Sequence, residues 1–373
     1  MPRQVPLAQR VMLAQPSGPH ERAALRLPPP GTGFPVGQIR LRWLNFGMNF
    51  RHSLEEIRGV RSMLSEHLPR TTLQFARIFG AGAEVYLKME TELPTGSFKP
   101  RGALAALSLE LGKRRIEEVT AASTGNHGAA VAWAAKKLGV PATIFLPANP
   151  NPVKRAKIDS FGARIVEAGG PDLAHALPLA REYSSRAGVY FLDDSTDPDL
   201  PMGPATIGLE VLEQLPEVRS VYVPIGDTAL VRGVSTAMKQ SKPGIRIVGV
   251  QAERAPAYYL SWKKRAPVPT ETCDTCADGL ATRTPEPENV AALEQLVDDV
   301  FLLSEEEIID AIRFLYASEG VIAEPAGAAA AAGYRKRPDP RGPVALLVTG
   351  GNITDDLRER AGLPRATASQ PHR

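Results

Sequence analysis

The chain has 373 residues, 43% of them hydrophobic, and a formal net charge of +3 from 44 basic against 41 acidic side chains. That length suggests two domains and supplies enough apolar surface for a substantial core. The near-balanced charge, with no basic run interleaved with aromatics, argues against nucleic acid as the main partner, and apolar runs such as Val344 to Val348 and Ala328 to Ala332 fall far short of the roughly 20 residues that span a bilayer.

The first forty residues set Arg3, Arg10, Arg22, Arg26 and Arg40 against Glu21, with Pro28-Pro-Pro30 and Gly31-Thr-Gly33 breaking any regular pattern. An arginine-rich, acid-poor start can be a transit peptide, but without an amphipathic stripe it is expected to be a disordered or surface-draped extension. Beyond it, apolar β-prone stretches at 84–88, 142–146, 163–167, 190–192, 220–223, 245–250 and 344–349 alternate with alanine- and leucine-bearing helical segments. This is the pattern of βα units on parallel sheets, an α/β fold.

Four glycine-marked turns punctuate that alternation. Pro94-Thr-Gly-Ser-Phe-Lys99 puts a lysine after a small-residue turn and before an alanine-rich helix. Ala122-Ser-Thr-Gly-Asn-His-Gly128 opens a second helix, so backbone N–H groups and polar side chains point at whatever anion sits there. Pro224-Ile-Gly-Asp-Thr-Ala-Leu230 follows an apolar strand and leads into a third helix, and Val348-Thr-Gly-Gly-Asn352 ends a strand. An amine, two anion-binding turns and a hydroxyl at strand ends are the parts needed to hold pyridoxal phosphate.

The order PTGSFK, STGNHG, a glycine-marked turn after a strand, EPAGAAA and TGGN resembles the fold-type II pyridoxal-phosphate enzymes, nearest to threonine/serine dehydratases and serine racemase, over Leu68 to Ile353. The resemblance implies a tryptophan-synthase-β-like architecture of two parallel-rich α/β domains. Residues 43–117 and 198–360 would make the larger, cofactor-binding domain, 118–197 the smaller one, and 361–373 a tail. It also implies a homodimer, located in the cytoplasm, with a small amino acid as substrate. No separate regulatory domain is expected after TGGN.

By the same resemblance Lys99 condenses with the cofactor aldehyde and later takes the substrate α-proton, for which its amine must be freed of its proton. Phe98, counted with the cofactor contacts, would brace the turn or simply be a core aromatic. Ser123, Thr124, Gly125, Asn126 and His127 would receive the substrate carboxylate, with Asn126 on the pyridine 3-oxygen. Read without the resemblance, the same stretch is an ordinary helix start capped by Ser123 or Thr124. Gly226, Asp227, Thr228, Ala229 and Leu230 would cradle the phosphate, although relatives carry glycines there and Asp227 brings a like charge. Arg232 is read as a solvated helix arginine unless it offsets the phosphate. Thr349 would meet the pyridine nitrogen with a neutral hydroxyl, a weaker electron sink than a carboxylate partner would create. Glu324 is read as a structural carboxylate.

No metal is expected. Where racemase-like relatives bind a divalent cation with carboxylates, this chain reads Gln251-Ala-Glu-Arg-Ala-Pro-Ala257, and hard cations want carboxylate oxygen. Cys273 and Cys276, the only cysteines, form a lone C-x-x-C that reads as two free thiols in a reducing cytosol. The expected reaction is loss of the β-hydroxyl from serine or threonine to give a keto acid and ammonia. A β-replacement synthase, a racemase using Thr124 on the opposite face, and a diaminopropionate ammonia-lyase-like enzyme stay open. So does a non-catalytic homologue, on the strength of the altered phosphate turn.

Overall fold

The computed structural model describes residues 50–80, 82–123, 125–170 and 173–365. The extension expected over 1–42, Thr124 and residues 366–373 lie outside these. Two sheets carry the fold. The larger runs β1 (Leu73–Phe75), β2 (Val85–Met89), β10 (Val344–Val348), β7 (Ser220–Pro224), β8 (Arg246–Ala252), β9 (Asp299–Leu303). Only β1 is antiparallel to its neighbour. The smaller, wholly parallel sheet runs β5 (Arg164–Glu167), β4 (Ala142–Leu146), β3 (Glu118–Ala122), β6 (Val189–Phe191).

Parallel strands covered by helices on both faces need unbroken apolar runs, and every residue of β7 and β10 is buried. Successive side chains point to opposite faces. Leu87, Tyr222, Val248 and Leu346 therefore pack on one side with the alanine-rich helix Pro325–Lys336 and the helix Glu305–Glu319. Val221, Val223, Ile247, Ala345 and Leu347 pack on the other with Ile207 of the helix Met202–Gln214 and Val231 and Val234 of the helix Ala229–Ser241. The helix Met202–Gln214 also meets the helix Lys99–Lys113 backbone to backbone. A Cβ on Gly203 would overlap the Arg101 carbonyl and the Gly102 amide, so only glycine permits that approach.

The strands expected from sequence appear within two residues of their predicted limits. Three others, β1, β3 and β9, were not legible. β3 reads Glu-Val-Thr-Ala-Ala, and alanine is a poor strand former. Here hydrogen bonding from both sides decides, with Val119 opposite Ala142 of β4 and Tyr190 of β6. The expected tail also starts later than 361. Gly362 turns the chain at φ 72°, the Leu363 N–H reaches the Arg358 carbonyl at 2.8 Å, and Ala361 and Leu363 are buried in the core.

Open α/β sheets bind ligands beyond the carboxyl ends of their strands, where the strand order reverses. In the larger sheet β8 and β9 step away from β7 on one side while β10 flanks it on the other; in the smaller sheet β4 and β5 lie to one side of β3 and β6 to the other. The carboxyl ends at these reversals lead into Ile225, Thr349, Ser123 and Leu192.

Candidate active site

Those strand ends surround a cavity with about 840 Å³ of empty space, part of it open to solvent. Of the residues expected in the site, Phe98, Lys99, Ser123, Asn126, His127, Gly226, Asp227, Thr228, Ala229, Leu230 and Thr349 all line it. Gly125 lies behind the wall, where a Cβ would run into the Lys154 stem. Thr124 falls outside the described residues.

Lys99 opens its helix because the preceding turn is tied to the end of β10. Ser97 bridges Gly350, and the Phe98 N–H donates to the Thr349 carbonyl at 2.9 Å. The lysine Nζ then donates to Asp194 Oδ2 and stands 5.2 Å from the centre of the Phe98 ring. Phe98 packs against the core as well as lining the cavity.

At the end of β3, Ser123 Oγ accepts from the Gly125 and Gly128 N–H groups, both at 2.9 Å. This satisfies donors that the start of the helix Asn126–Leu138 would otherwise leave unpaired. Asn126 donates Nδ2 to Glu324 Oε1 at 2.5 Å and accepts from Asn352 Nδ2 at 2.8 Å. His127 donates Nε2 to the Leu192 carbonyl at 2.9 Å, leaving Nδ1 3.4 Å from Asp194 Oδ1.

At the end of β7, Thr228 sits in the left-handed region at φ 72°, a conformation that costs a residue with a branched Cβ about 1–2 kcal/mol. Its side chain does not cap the helix Ala229–Ser241; instead Thr228 Oγ1 accepts from Arg232 Nε at 3.0 Å. Arg232 Nη2 donates on to the Ser195 carbonyl at 3.2 Å, which corrects its reading as a solvated arginine. Burial draws its pKa below the ordinary value. Asp227 Oδ1 accepts from Thr282 Oγ1 at 3.0 Å, and its carboxyl is pushed up to about 6, first by burial and then by Asp194. Thr349 Oγ1 makes a long 3.3 Å bond to the Ala326 carbonyl.

The sequence reading missed several cavity residues: Asp194, Lys154, Asp278 and Thr282. A signal existed for Asp194, since Asp193-Asp194 follows directly on the predicted strand 190–192, the rule that flagged the other turns. Burial alone would raise the Asp194 carboxyl, but the Lys99 ammonium, His127 and Arg232 together hold it below the usual carboxylate range. Lys154 reaches Asp278 at 2.7 Å and Glu324 Oε2 at 3.2 Å. Burial would depress this ammonium, yet Glu324 and Asp278 outweigh burial and keep its pKa above the ordinary lysine value. Glu324 is thus the hub between Asn126 and Lys154, and it faces the cavity.

The order of elements, the lysine at the head of its helix and the turns gathered on one cavity can be compared with known proteins. Residues 64–350 match the family described as pyridoxal-phosphate dependent enzymes. The chain belongs to that family. It is 36% identical over 311 residues to an L-threonine ammonia-lyase of Thermotoga maritima, covering 83% of this chain and 77% of the relative. Among solved structures, a T.th. threonine deaminase superposes with a TM-score of 0.75 at 31% identity, over 81% of this chain and 98% of its own. Maize serine racemase superposes with a TM-score of 0.78 at 26% identity, over 84% and 97%.

The cavity fits pyridoxal phosphate. Lys99 supplies the amine, and the helix Ala229–Ser241 presents an N-terminus without a side-chain cap, whose first-turn N–H groups suit a phosphate. Arg232 adds a cation beside Thr228, and Thr349 stands on the cavity wall with a hydroxyl. Asp227 opposes a phosphate only as far as it is ionised, and its raised pKa moderates that repulsion.

Away from this cavity, Gln251 is buried, with Oε1 accepting from the Tyr259 N–H at 2.8 Å, while Glu253 is exposed. Among the described residues no group of three His, Cys, Asp or Glu side chains is placed to hold a metal ion. Neither Cys273 nor Cys276 is in a disulfide; burial and Glu305 push the Cys276 thiol up to about 12. Among the described residues no helix is long and apolar enough to cross a membrane.

Proposed function

We propose that this protein is a pyridoxal-phosphate-dependent lyase that removes the β-hydroxyl of L-threonine or L-serine, releasing a keto acid and ammonia. The observation that carries the reading is its 36% identity to an L-threonine ammonia-lyase across 83% of the chain. The Lys99 cavity supports it.

In this reading Lys99 would hold the cofactor, Gly226 to Leu230 and Arg232 would bind its phosphate, and Asn126 and Thr349 would offer hydrogen bonds to its ring. When bound, the cofactor supplies the electron sink that makes the substrate α-proton removable. Lys99 Nζ takes that proton. The helix start at Ser123, Thr124, Asn126 and His127 would receive the substrate carboxylate, while Gly125, behind the wall with its N–H on Ser123 Oγ, shapes the turn. Residues 118–197 would be the smaller lobe and the described residues from 50 to 117 with 198–360 the larger, in a homodimer that works in the cytoplasm.

The test is to incubate the holoenzyme with a panel of amino acids and to follow keto acid and ammonia release together with the chirality of unreacted substrate. Keto acid from threonine or serine is expected. Dominant inversion of the amino acid, or product only when a thiol or amine nucleophile is added, would replace the lyase by a racemase or a β-replacement synthase.

A further inference from the structure

One group on the cavity wall has no part in the mechanism above. Asp194 projects from the end of β6, its side chain 17% exposed. Its Oδ2 accepts from Lys99 Nζ, whereas Oδ1 is sealed from solvent and has no hydrogen-bond partner. His127 Nδ1, itself buried and unpartnered, lies 3.4 Å from Oδ1. His127 Nε2 faces the Leu192 carbonyl at 2.9 Å, and a carbonyl only accepts, so Nε2 carries a hydrogen. A neutral imidazole would then aim a lone pair from Nδ1 at a carboxylate oxygen. The contact becomes favourable only when a proton lies on Nδ1 or on Asp194. The other charged groups around this carboxyl are Lys99, Arg232 and Asp227.

Resting on the lyase reading, we propose that Asp194, backed by His127, relays the α-proton from Lys99 to the departing β-hydroxyl. Lys99 Nζ takes the proton from Cα and becomes an ammonium. An Nζ–H bond then breaks as an Asp194 Oδ2–H bond forms, along the hydrogen bond already present. The carboxyl proton passes to the β-oxygen while the Cβ–O bond breaks with its electron pair on oxygen. The pair left by the Cα–H bond closes Cα=Cβ. The substrate loses one hydrogen and one hydroxyl as water, and Lys99, Asp194 and His127 return to their starting protonation. His127 acts as a positioning residue: a proton on its Nδ1 stabilises the Asp194 carboxylate before transfer and holds Oδ2 toward Lys99.

The leaving group distinguishes this from a structural role. Hydroxide must be protonated as it departs; chloride need not be. Initial rates of keto acid formation are therefore compared for L-serine and L-β-chloroalanine, using wild type, Asp194→Asn and His127→Gln holoenzymes. A general acid contributes about 10²- to 10⁴-fold, so Asp194→Asn should lose serine elimination by about that factor while chloride elimination falls far less. His127→Gln keeps an amide N–H for the Leu192 carbonyl and the backbone N–H at the helix start, and should show a smaller loss that is greater on serine than on β-chloroalanine. It also provides the answer if Asp194→Asn does not fold. Equal losses on the two substrates, or full serine activity in either variant, would overturn the relay and leave the lyase reading standing. A wild type that makes no keto acid from serine or threonine would end both.

Discussion

Two residues beyond Lys99, Arg101 is the centre of a buried network whose removal has a calculable cost. It is 2% exposed. Nε and Nη2 bond Glu90 at 2.8 and 3.1 Å, Nη1 and Nη2 bond Glu210 at 2.6 and 3.0 Å, and Thr206 and Thr71 accept at 3.0 and 3.2 Å. Lys88, also buried, bonds Glu210 at 2.6 Å, so two cations balance two anions. Arg101→Met preserves most of the volume but leaves two buried carboxylates sharing one ammonium. Breaking a buried pair from one side costs about 3–5 kcal/mol, a large share of the roughly 5–15 kcal/mol that holds a domain folded. The urea midpoint of the cofactor-free protein should fall accordingly at unchanged slope. Arg101→Lys keeps the charge without the two-sided fork and should fall between Met and wild type. A loss below about 1 kcal/mol for Arg101→Met would mean that the network is no stronger than an exposed ion pair and does not anchor the Lys99 helix.

Lys99→Ala should abolish the visible absorbance of bound cofactor, its fixation by borohydride and all elimination, while the far-ultraviolet circular dichroism is retained; an adduct still fixed in this pocket would move the assignment to Lys154 or elsewhere. Asp227 has a folded pKa of about 6, above the roughly 3.9 of a free aspartate, so it contributes stability in its protonated form at low pH and loses that contribution as pH rises through 6. The melting temperature of cofactor-free Asp227→Asn should therefore gain on wild type between pH 4 and pH 7, and a constant difference would show that the carboxyl is not held near 6. Chelators and added magnesium or calcium should change activity little, since Gln251 is committed to the Tyr259 amide and Glu253 is exposed; strong activation reversed by chelator would place a cation site that these residues do not offer.

What was legible in advance was whatever a short stretch of chain decides for itself. β7 and β10 are apolar without interruption because both of their faces are covered, so they stood out as strands. Glycine turns after such strands announced helix starts, and Lys99, Asn126 and Thr349 were found by their place beside those turns. Where neighbours decide, the sequence was silent. β3 is a strand only because β4 and β6 flank an alanine-rich segment. Arg232, indistinguishable from a solvated helix arginine by spacing, is held by Thr228 and the Ser195 carbonyl.

The same division separates the cofactor-holding parts of the cavity from the charges around them. Phosphate, amine and hydroxyl positions follow from single strand-turn-helix units, and one unit's geometry is largely written in its own residues. Asp194 meets a lysine 95 positions away, and Glu324 an asparagine 198 away. Polar contacts of this kind depend on distances of a few ångströms, which exist only once both sheets have packed. Sequence alone therefore determined the fold class and the family and singled out Lys99; tertiary structure decided which carboxylates stand beside that lysine, because burial and proximity, not residue type, set their charge.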